Sequence, residues 1–333
     1  MQSRIGINGF GRIGRNAARI ILQSKLGVLA AVNSNSDAAS HAYLLKHDSV
    51  QGTFPMDISS DDHNIIANKQ KISCFQTKEV SQIPWDDAGV DVVLECTGKF
   101  RTKEDVAGHL RGSVKHVVIS APAKDATPTY VMGVNHTDYK GEKVVSNSSC
   151  TTNCVTTVLK VLDDSFGVVR GSMTTVHAAT DSQNLLDNSH KEGVRGRRSA
   201  LVNLIPATSG SARDVAKLFP HLAGKLPCRA IRVPTPTVSL IELVVEVKKG
   251  TSVDEVNRMF DAAATGKLRG ILGVATEELV STDYVGDPRS SIVDPFLTDV
   301  VDGNLIHVTA WYDNEWGYAN RLVELASYVA SHS

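Results

Sequence analysis

Apolar residues in the first half of the chain form short runs that alternate with stretches of helical spacing. The pattern predicts a helix over residues 12–23 and strands over residues 4–8, 28–32, 90–95 and 116–120, with Val131 and Val144–Val145 also extended. Strands that alternate with helices are typical of crossover connections within a parallel sheet. We therefore expect an α/β domain in this half of the chain.

The pattern changes near residue 150. Apolar residues at helical spacing predict a helix over residues 151–166, and long β-branched runs predict extended chain over residues 167–177, 305–312 and 230–248, the last broken by Pro234 and Pro236. Ser252 and Glu255 have the spacing of a capping box, so we predict a helix that begins at Val253. A final helix is predicted over residues 321–330. Long strands with few helices between them indicate an antiparallel or mixed sheet with helices on one face.

A glycine-rich turn follows the first predicted strand and opens the first predicted helix. Its glycines, Gly9, Gly11 and Gly14, form the pattern G-x-G-x-x-G. In such a turn the first glycine permits the tight bend, the second lets the backbone approach a pyrophosphate, and the third lets the helix pack closely on the strand. The N–H groups at the helix start then face the phosphates. This context predicts a Rossmann domain that binds a dinucleotide.

The overall composition changes this picture little. Among 333 residues, 42% are hydrophobic and 21% are charged, as in a globular protein, and 35 Lys and Arg against 36 Asp and Glu give no basic footprint for nucleic acid or an anionic membrane. The five cysteines are odd in number and sparse, which favours free thiols. Neither a signal-peptide pattern nor an apolar run of roughly 18 residues is present, so we expect a cytoplasmic protein.

The strongest candidate for chemistry is Cys150, which stands at the start of a predicted helix. The positive end of a helix favours a thiolate, the nucleophilic form of cysteine. Small hydroxyls at Ser149 and Thr151 suit an anion that approaches the same helix end. Cys154 lies one turn further, but no second pair of ligands stands nearby in sequence, so we predict no metal site.

A reactive cysteine commonly has an imidazole as its partner. His177 closes a predicted strand, and scaffolds often present reactive side chains at such positions. It is the best candidate among eleven histidines, although spacing alone leaves its pairing with Cys150 open.

Three segments resemble signatures of the phosphorylating glyceraldehyde-3-phosphate dehydrogenase family, and the resemblance covers essentially the whole chain. Residues 146–154 (SNSSCTTNC) resemble the active-site signature, with Ser148 where alanine is usual. Residues 8–14 (NGFGRIG) are similar to the cofactor turn, and residues 311–318 (WYDNEWGY) to the C-terminal signature. The resemblance implies oxidation of D-glyceraldehyde 3-phosphate, with NAD(P)+ and inorganic phosphate, to 1,3-bisphosphoglycerate through a thioester on Cys150. It implies that this reaction serves glycolysis or gluconeogenesis.

The expected organisation follows from the pattern and the resemblance together. We expect a Rossmann NAD(P)-binding domain over residues 1–149 and an α+β catalytic and oligomerisation domain with a mixed or antiparallel sheet over residues 150–314. A C-terminal helix within residues 315–333 should pack back on the cofactor domain. The resemblance also implies a homotetramer that requires neither nucleic acid nor a membrane.

The resemblance implies roles for individual residues as well. Cys150 is the expected nucleophile and His177 the expected base, while Thr180 and Arg232 would hold the phosphate of the substrate. The attacking inorganic phosphate would be held by Ser149, Thr151, Ser209 (where threonine is usual) and Gly210. Asn314 would fix the nicotinamide carboxamide. The full set of expected cofactor contacts is Gly9, Phe10, Gly11, Arg12, Ile13, Gly14, Asn33, Ser34, Lys78, Thr97, Gly98, Ser120, Ser189, Asn314 and Tyr318.

A basic loop over residues 191–200 (KEGVRGRRSA) departs from the family pattern. Val194 stands where arginine is frequent, and the arginines are shifted. A solvated loop is one interpretation. We favour anion binding by Arg195 together with contacts between subunits, and the sequence leaves open which arginine acts.

A second departure lies where the adenosine ribose would bind. Ser34 stands where many NAD-specific relatives have aspartate, a residue that hydrogen-bonds the 2′-hydroxyl of NAD and repels the 2′-phosphate of NADP. The nearest acid, Asp37, is three residues further on. Asn188–Ser189 stands where NAD-specific relatives often have an apolar residue and proline, and NADP-using relatives a small residue and serine. We therefore predict that NADP is accepted, with NAD remaining the other candidate.

Two other functions compete with this interpretation. An erythrose-4-phosphate dehydrogenase would share the fold, the cysteine and the histidine, but residues 120–123 (SAPA) resemble the glyceraldehyde-3-phosphate form. A non-enzymatic protein on the same scaffold, such as an RNA-binding or adhesin form, would be favoured by the loss of Cys150, His177 or Arg232. All three residues are present, which favours catalysis.

Overall fold

The computed structural model of the protein describes residues 2–190 and 193–332. Lys191 and Glu192, at the start of the basic loop, lie outside the described residues. The described chain divides into two compact units, residues 2–149 with 319–332, and residues 150–318. None of its helices is both long and apolar enough to cross a membrane.

The first unit contains an eight-stranded sheet. Its strands are β1 (Arg4–Asn8), β2 (Val28–Asn33), β3 (Ile58–Ser60), β4 (Asn64–Ala67), β5 (Gln70–Phe75), β6 (Val92–Glu95), β7 (His116–Ile119) and β8 (Val144–Ser146). They lie in the order β3-β4-β5-β2-β1-β6-β7-β8, and the pairings from β5 through β8 are parallel. The helices of this part of the chain are α1 (Arg12–Gln23), α2 (Ala38–Lys46) and α3 (Lys103–Val106).

Apolar side chains fill much of the centre of this sheet. Val93 on β6 and Val117 on β7 are buried, and Trp85 packs in the same cluster. Strands that are covered on both faces carry continuous apolar runs, as these do. The carboxyl ends of β1, β2 and β6 consequently meet at one edge, where open α/β sheets bind ligands.

The second unit contains a seven-stranded mixed sheet. Its strands are β9 (Val168–Ala178), β10 (Ile205–Thr208), β11 (Cys228–Val233), β12 (Ser239–Val247), β13 (Leu272–Val274), β14 (Ser291–Val301) and β15 (Leu305–Tyr312), in the order β10-β11-β9-β12-β15-β14-β13. Its helices are α4 (Cys150–Phe166), α5 (Ser211–Leu218) and α6 (Val253–Thr265). The last helix of the chain is α7 (Trp316–Ser331). The two sheets confirm the predicted class, a Rossmann domain with an α+β domain.

Local sequence explains several elements of the second unit. Burial alternates along β12, so that one face of the strand packs against the apolar side of α4. Ser252 caps α6 by accepting a hydrogen bond from the Glu255 N–H at 3.3 Å. Pro234 and Pro236 lie between β11 and β12, because proline cannot donate to a ladder.

Val131 is among the residues that were predicted to be extended but lie outside the strands. Val131 is in a loop, where its N–H donates to the side-chain oxygen of Asn135 at 2.8 Å. That local hydrogen bond takes the donor that a strand neighbour would have used. The neighbouring bridge in the first sheet is instead made by Thr129 with Ser146.

Candidate active site

Cys150 is the first residue of α4 and is half-buried. Two residues earlier, Ser148 has a φ of 57°, a left-handed conformation that is uncommon for a residue with a side chain. Such strain is often found next to functional groups. The Cys150 thiol thus stands at the N-terminal end of a 17-residue helix, as the sequence predicts.

His177 lies at the end of β9, close to this thiol. Its Nε2 atom is 3.5 Å from the Cys150 Sγ, and the ring is only 4% exposed. The Tyr312 ring packs edge-on against it, with centroids 6.0 Å apart. β11 runs parallel to β9 in a register that places Arg232 beside His177, and the guanidinium Nη1 is 2.5 Å from the imidazole Nδ1. The structure therefore brings together a thiol, an imidazole and a guanidinium.

Burial governs the charges of this group. It raises the pKa of the Cys150 thiol, and the positive charge of Arg232 and hydrogen bonds from Thr151 offset the rise only in part. Burial, aided by the charge of Arg232, lowers the pKa of His177 to about 3. The helix end, which is expected to favour a thiolate, is therefore opposed by the desolvation of the buried thiol. When the proton moves from Sγ to Nε2, the thiolate and the imidazolium form together, and the net charge of the buried pair is unchanged.

The other ring nitrogen of His177 has two neighbours of opposite kind. Nδ1 is 2.8 Å from the carbonyl oxygen of Ala178, which accepts, and 2.5 Å from Arg232 Nη1, which donates. Arg232 also approaches the Ala178 oxygen at 3.3 Å. A ring with its proton on Nδ1 donates to Ala178 and turns the lone pair of Nε2 towards Sγ.

Most of the expected residues for the attacking phosphate have hydroxyl side chains, and one of them, Gly210, leaves its backbone accessible. The Thr151 hydroxyl is 2.9 Å from the Tyr312 hydroxyl, and the Thr180 hydroxyl is 3.0 Å from that of Ser182. Ser209 accepts a hydrogen bond from the Ser211 N–H at 3.3 Å. Ser149 directly precedes α4, while Gly210 is the N-cap of α5, where a Cβ atom would meet open space.

A cavity of about 870 Å³ in the second unit includes two of the expected anion-binding side chains, Arg195 and Arg232. Arg229 and His190 add to its basic lining. Neither Cys150 nor His177 lines it. Its positive charge suits a bound anion.

The glycine turn in the first unit fits a bound pyrophosphate. Gly9 has a φ of 93°, and a Cβ atom there would lie 2.6 Å from the Thr97 nitrogen. Gly11 is the N-cap of α1 and has open space where a Cβ atom would be, whereas a Cβ at Gly14 would lie 2.2 Å from the Gly9 oxygen. Each glycine thus has the property that its predicted role requires, and the start of α1 presents its first N–H groups.

The residues around this turn are also placed by the fold. Phe10 is buried edge-on against His41, with ring centroids 5.1 Å apart. Arg12 forms an ion pair with Asp48, and Ile13 follows it in the first turn of α1.

The residues expected near the adenosine ribose follow β2. Asn33 is buried and donates to the Asn8 side chain at 2.8 Å, while the Ser34 N–H donates to Phe75 at 3.0 Å. The Asp37 carboxylate caps α2 by accepting from the Ser40 N–H at 2.7 Å. The acid nearest to Ser34 in sequence is therefore already used as a helix cap. Lys78 is exposed beyond β5.

Sequence reasoning missed a buried carboxylate beside the glycine turn. Glu95 is 1% exposed and accepts from the Thr97 N–H at 2.8 Å, from the Asn8 amide at 2.6 Å, and from His109 at 3.2 Å. It thereby fixes the segment that contains Thr97 and Gly98, two of the expected cofactor contacts. Ser120 donates its N–H to the Glu95 carbonyl at 2.9 Å. The sequence did contain a signal for Glu95, because a charged residue ends an otherwise apolar strand at the edge where such sheets bind ligands.

The remaining expected cofactor contacts lie in the second unit. Asn314 is 5% exposed, and its side-chain oxygen accepts from the Ser239 hydroxyl at 2.9 Å. Tyr318 is buried in α7, and Ser189 is exposed in the loop before residue 190. Ser239 was also missed, because nothing in the sequence pattern connects it to Asn314.

Within residues 2–190 and 193–332, no group of three or more His, Cys, Asp or Glu side chains has the arrangement of a metal site. All five cysteines, each within these residues, are unpaired.

A dinucleotide-binding unit, in the same chain as a helix-start cysteine beside an imidazole, is the arrangement of an NAD-dependent oxidoreductase. Residues 3–103 match the NAD binding domain of glyceraldehyde 3-phosphate dehydrogenase, and residues 149–314 match its C-terminal domain. The chain is 50% identical over 331 residues to glyceraldehyde-3-phosphate dehydrogenase 1 of Bacillus cereus and 47% identical over 333 residues to the enzyme of Geobacillus stearothermophilus. Each alignment covers 99% of both chains. The chain belongs to the glyceraldehyde 3-phosphate dehydrogenase family.

Proposed function

We propose that the chain catalyses the phosphorylating oxidation of D-glyceraldehyde 3-phosphate to 1,3-bisphosphoglycerate with NAD(P)+, in glycolysis or gluconeogenesis. The observation that carries this proposal is the imidazole of His177, which lies between the Cys150 thiol at 3.5 Å and the Arg232 guanidinium at 2.5 Å. A thiol with a base can add to an aldehyde and form a thioester once NAD(P)+ accepts the hydride. A guanidinium on the far side of the base suits the phosphate of the same substrate.

The first step needs a nucleophile and a proton acceptor. Cys150 Sγ adds to the aldehyde carbon while the thiol proton passes through His177 Nε2 to the carbonyl oxygen, which gives a hemithioacetal. The N–H groups at the start of α4 stabilise the negative charge that develops on that oxygen. For this role the ring proton is on Nδ1 and donates to Ala178, while Arg232 turns to the substrate phosphate.

The second step forms the thioester. Bound NAD(P)+ supplies the acceptor for the hydride that leaves the hemithioacetal carbon. His177 Nε2 takes the hydroxyl proton in the same step, so the carbon becomes a thioester carbonyl. Gly9, Gly11 and the start of α1 would hold the pyrophosphate, and Asn314 would hold the carboxamide.

The third step releases the product. An oxygen of inorganic phosphate attacks the thioester carbonyl, the carbon–sulfur bond breaks, and Cys150 leaves as the thiolate paired with protonated His177. Hydroxyls of Thr151 and Ser209 and the open backbone at Gly210 would position this phosphate, with Ser149 at the same helix start. Thr180 and Arg195 would assist Arg232 at the substrate phosphate.

The reaction is tested by absorbance at the reduced-nicotinamide band. With D-glyceraldehyde 3-phosphate, we expect reduction of NAD(P)+ that depends on inorganic phosphate. Faster turnover of erythrose 4-phosphate would assign the alternative dehydrogenase. No reduction with either aldehyde, in a protein that binds NAD, would overturn the proposal.

We also propose that the chain assembles as a homotetramer. Large apolar side chains are exposed on the segment before β10, including Leu186 (70%) and Val202 (79%), and on β14 at Phe296 (51%). Exposed apolar patches of this kind are typical of subunit contacts. Sedimentation equilibrium should give the mass of four chains, and a monomer would contradict it. A reducing, cytoplasmic compartment is proposed because the mechanism needs Cys150 as a free thiol.

A further inference from the structure

One buried hydroxyl in the second unit joins two residues that the proposed function uses. Ser239 begins β12 and is 2% exposed. Its Oγ accepts a hydrogen bond from the Ala178 N–H at 3.0 Å and donates one to the Asn314 side-chain oxygen at 2.9 Å. Ala178 directly follows His177 and also receives the Nδ1 hydrogen bond on its carbonyl oxygen.

The direction of these hydrogen bonds is fixed by the donors. A backbone N–H can only donate, so the Ser239 oxygen accepts from Ala178, and among the described hydrogen bonds the Asn314 side-chain oxygen is the acceptor for its single hydrogen. Asn314 therefore presents its carbonyl oxygen to Ser239 and its NH2 group to the other side. If the amide were reversed, the buried hydroxyl hydrogen of Ser239 would lose this acceptor, which is costly inside a protein.

The backbone of Asn314 is held separately. The preceding carboxylate, Asp313, is 0% exposed and accepts from the N–H groups of Glu315 and Trp316, both at 2.9 Å, and from the Gly286 N–H at 2.8 Å. These contacts fix where Asn314 lies but do not select between the two orientations of its amide. Within the described hydrogen bonds, that selection is made by Ser239.

We propose that Ser239 is a positioning residue that sets the amide orientation of Asn314 and ties it to the strand end that carries His177. The proposal rests on the proposed function, in which Asn314 binds the nicotinamide carboxamide. With its NH2 group turned away from Ser239, Asn314 donates to the carboxamide oxygen. The ring then binds through one face only, and that face is presented to the substrate that His177 serves.

The test compares NAD with ADP-ribose, which lacks the nicotinamide, in titration calorimetry on the full-length protein. Ser239→Ala should weaken NAD binding roughly tenfold, the usual effect of one lost buried hydrogen bond. Binding of ADP-ribose should stay within about twofold, because the glycine turn is untouched. With C1-deuterated glyceraldehyde 3-phosphate, NMR of the reduced cofactor should show deuterium on both faces of the nicotinamide instead of one.

Three further variants separate positioning from stability. Thr309→Val removes another buried hydroxyl of the same sheet, which donates to Glu242 at 2.9 Å, and should change neither NAD binding nor stereochemistry. Ser239→Thr keeps the hydroxyl, so NAD affinity and the single labelled face should stay as in the wild-type protein. If the alanine variant does not fold, Ser239→Cys keeps the volume with a weaker donor and should shift both readouts in the same direction.

The outcomes distinguish this inference from the proposed function. Weaker binding of NAD alone, with mixed stereochemistry, supports the role of Ser239. Unchanged NAD affinity and a single labelled face in Ser239→Ala would overturn it, as would equal weakening of NAD and ADP-ribose. A wild-type protein that binds NAD but reduces none with the aldehyde would instead overturn the proposed function.

Discussion

Replacement of His177 by asparagine tests the part of the site on which the mechanism depends most. Asparagine keeps a similar volume and can hydrogen-bond, but it does not accept a proton at neutral pH. In the variant, the Cys150 thiol remains buried without a proton acceptor, and burial keeps its pKa raised. Both the formation of a thiolate and the acceptance of the hydroxyl proton should therefore fail.

The size of the effect follows from the 3.5 Å between Sγ and Nε2. Two unit charges at that distance attract by about 5 kcal/mol at an effective dielectric constant of about 20, and by about 2 kcal/mol at about 40. Loss of this attraction corresponds to roughly 30- to 5,000-fold less thiolate. Turnover should fall by roughly 10²- to 10⁴-fold, the usual contribution of a positioned base.

Two rates report these quantities. Iodoacetamide alkylation of Cys150 at neutral pH, followed by peptide mapping, measures the thiolate without any substrate, and steady-state turnover measures the whole reaction. His116→Asn is the matched control, because His116 is also buried but lies in the first unit, 3.4 Å from the Tyr139 hydroxyl. A folded His177→Asn protein with near-normal alkylation and turnover would remove His177 from the mechanism.

Three further predictions concern the thiol, the cofactor and pH. Iodoacetamide should modify Cys150 before any other cysteine, with activity lost in proportion. Earlier labelling of another cysteine, with loss of activity, would refute this. Cys150→Ser should bind NAD but form no thioester. Ser34→Asp should depress activity with NADP far more than with NAD, and equal effects or a wild-type enzyme inert with NADP would exclude Ser34 as the determinant. His177, with a pKa lowered to about 3, stays neutral in the folded chain while the unfolded chain binds a proton below about pH 6.5. Its contribution to the free energy of unfolding should fall by about 2 kcal/mol between pH 7 and pH 5, and denaturant titrations of His177→Asn should lack that part of the loss.

Helices and strands whose ends are marked by local sequence signals were predictable from the sequence. β1 and α1 have the predicted bounds, Arg4–Asn8 and Arg12–Gln23, because an apolar run ends at a glycine turn and helical spacing begins directly after it. β15 likewise has its predicted bounds, Leu305–Tyr312. In these segments local pattern and tertiary packing favour the same structure.

Other elements depend on tertiary contacts that the sequence pattern does not carry. β14 contains Asp294 and Pro295, which interrupt any apolar alternation, and its register with β15 shifts between Asp294 and Asp299. α2 begins at the Asp37 cap but has a weak apolar face, so helical spacing did not indicate it. Such segments are ordered by their neighbours rather than by propensity.

The candidate site shows the same division. The helix start at Cys150 was evident locally, whereas the approach of His177, 27 residues away, depends on the end of β9, and the approach of Arg232 on the register of β11. Burial raises the pKa of the thiol and lowers that of the imidazole, and the sequence pattern does not carry this burial. Ser239 could not be identified, because a single serine at the start of a strand has no distinctive spacing.

The most direct test of the account is to trap the acyl enzyme. The protein is mixed with NAD(P)+ and D-glyceraldehyde 3-phosphate without inorganic phosphate, quenched in acid, and analysed by intact mass and peptide mapping. The account predicts one added 3-phosphoglyceroyl group, located on Cys150 and lost when phosphate is supplied. Reduced cofactor formed with no adduct on Cys150, or with the adduct on another residue, would contradict it.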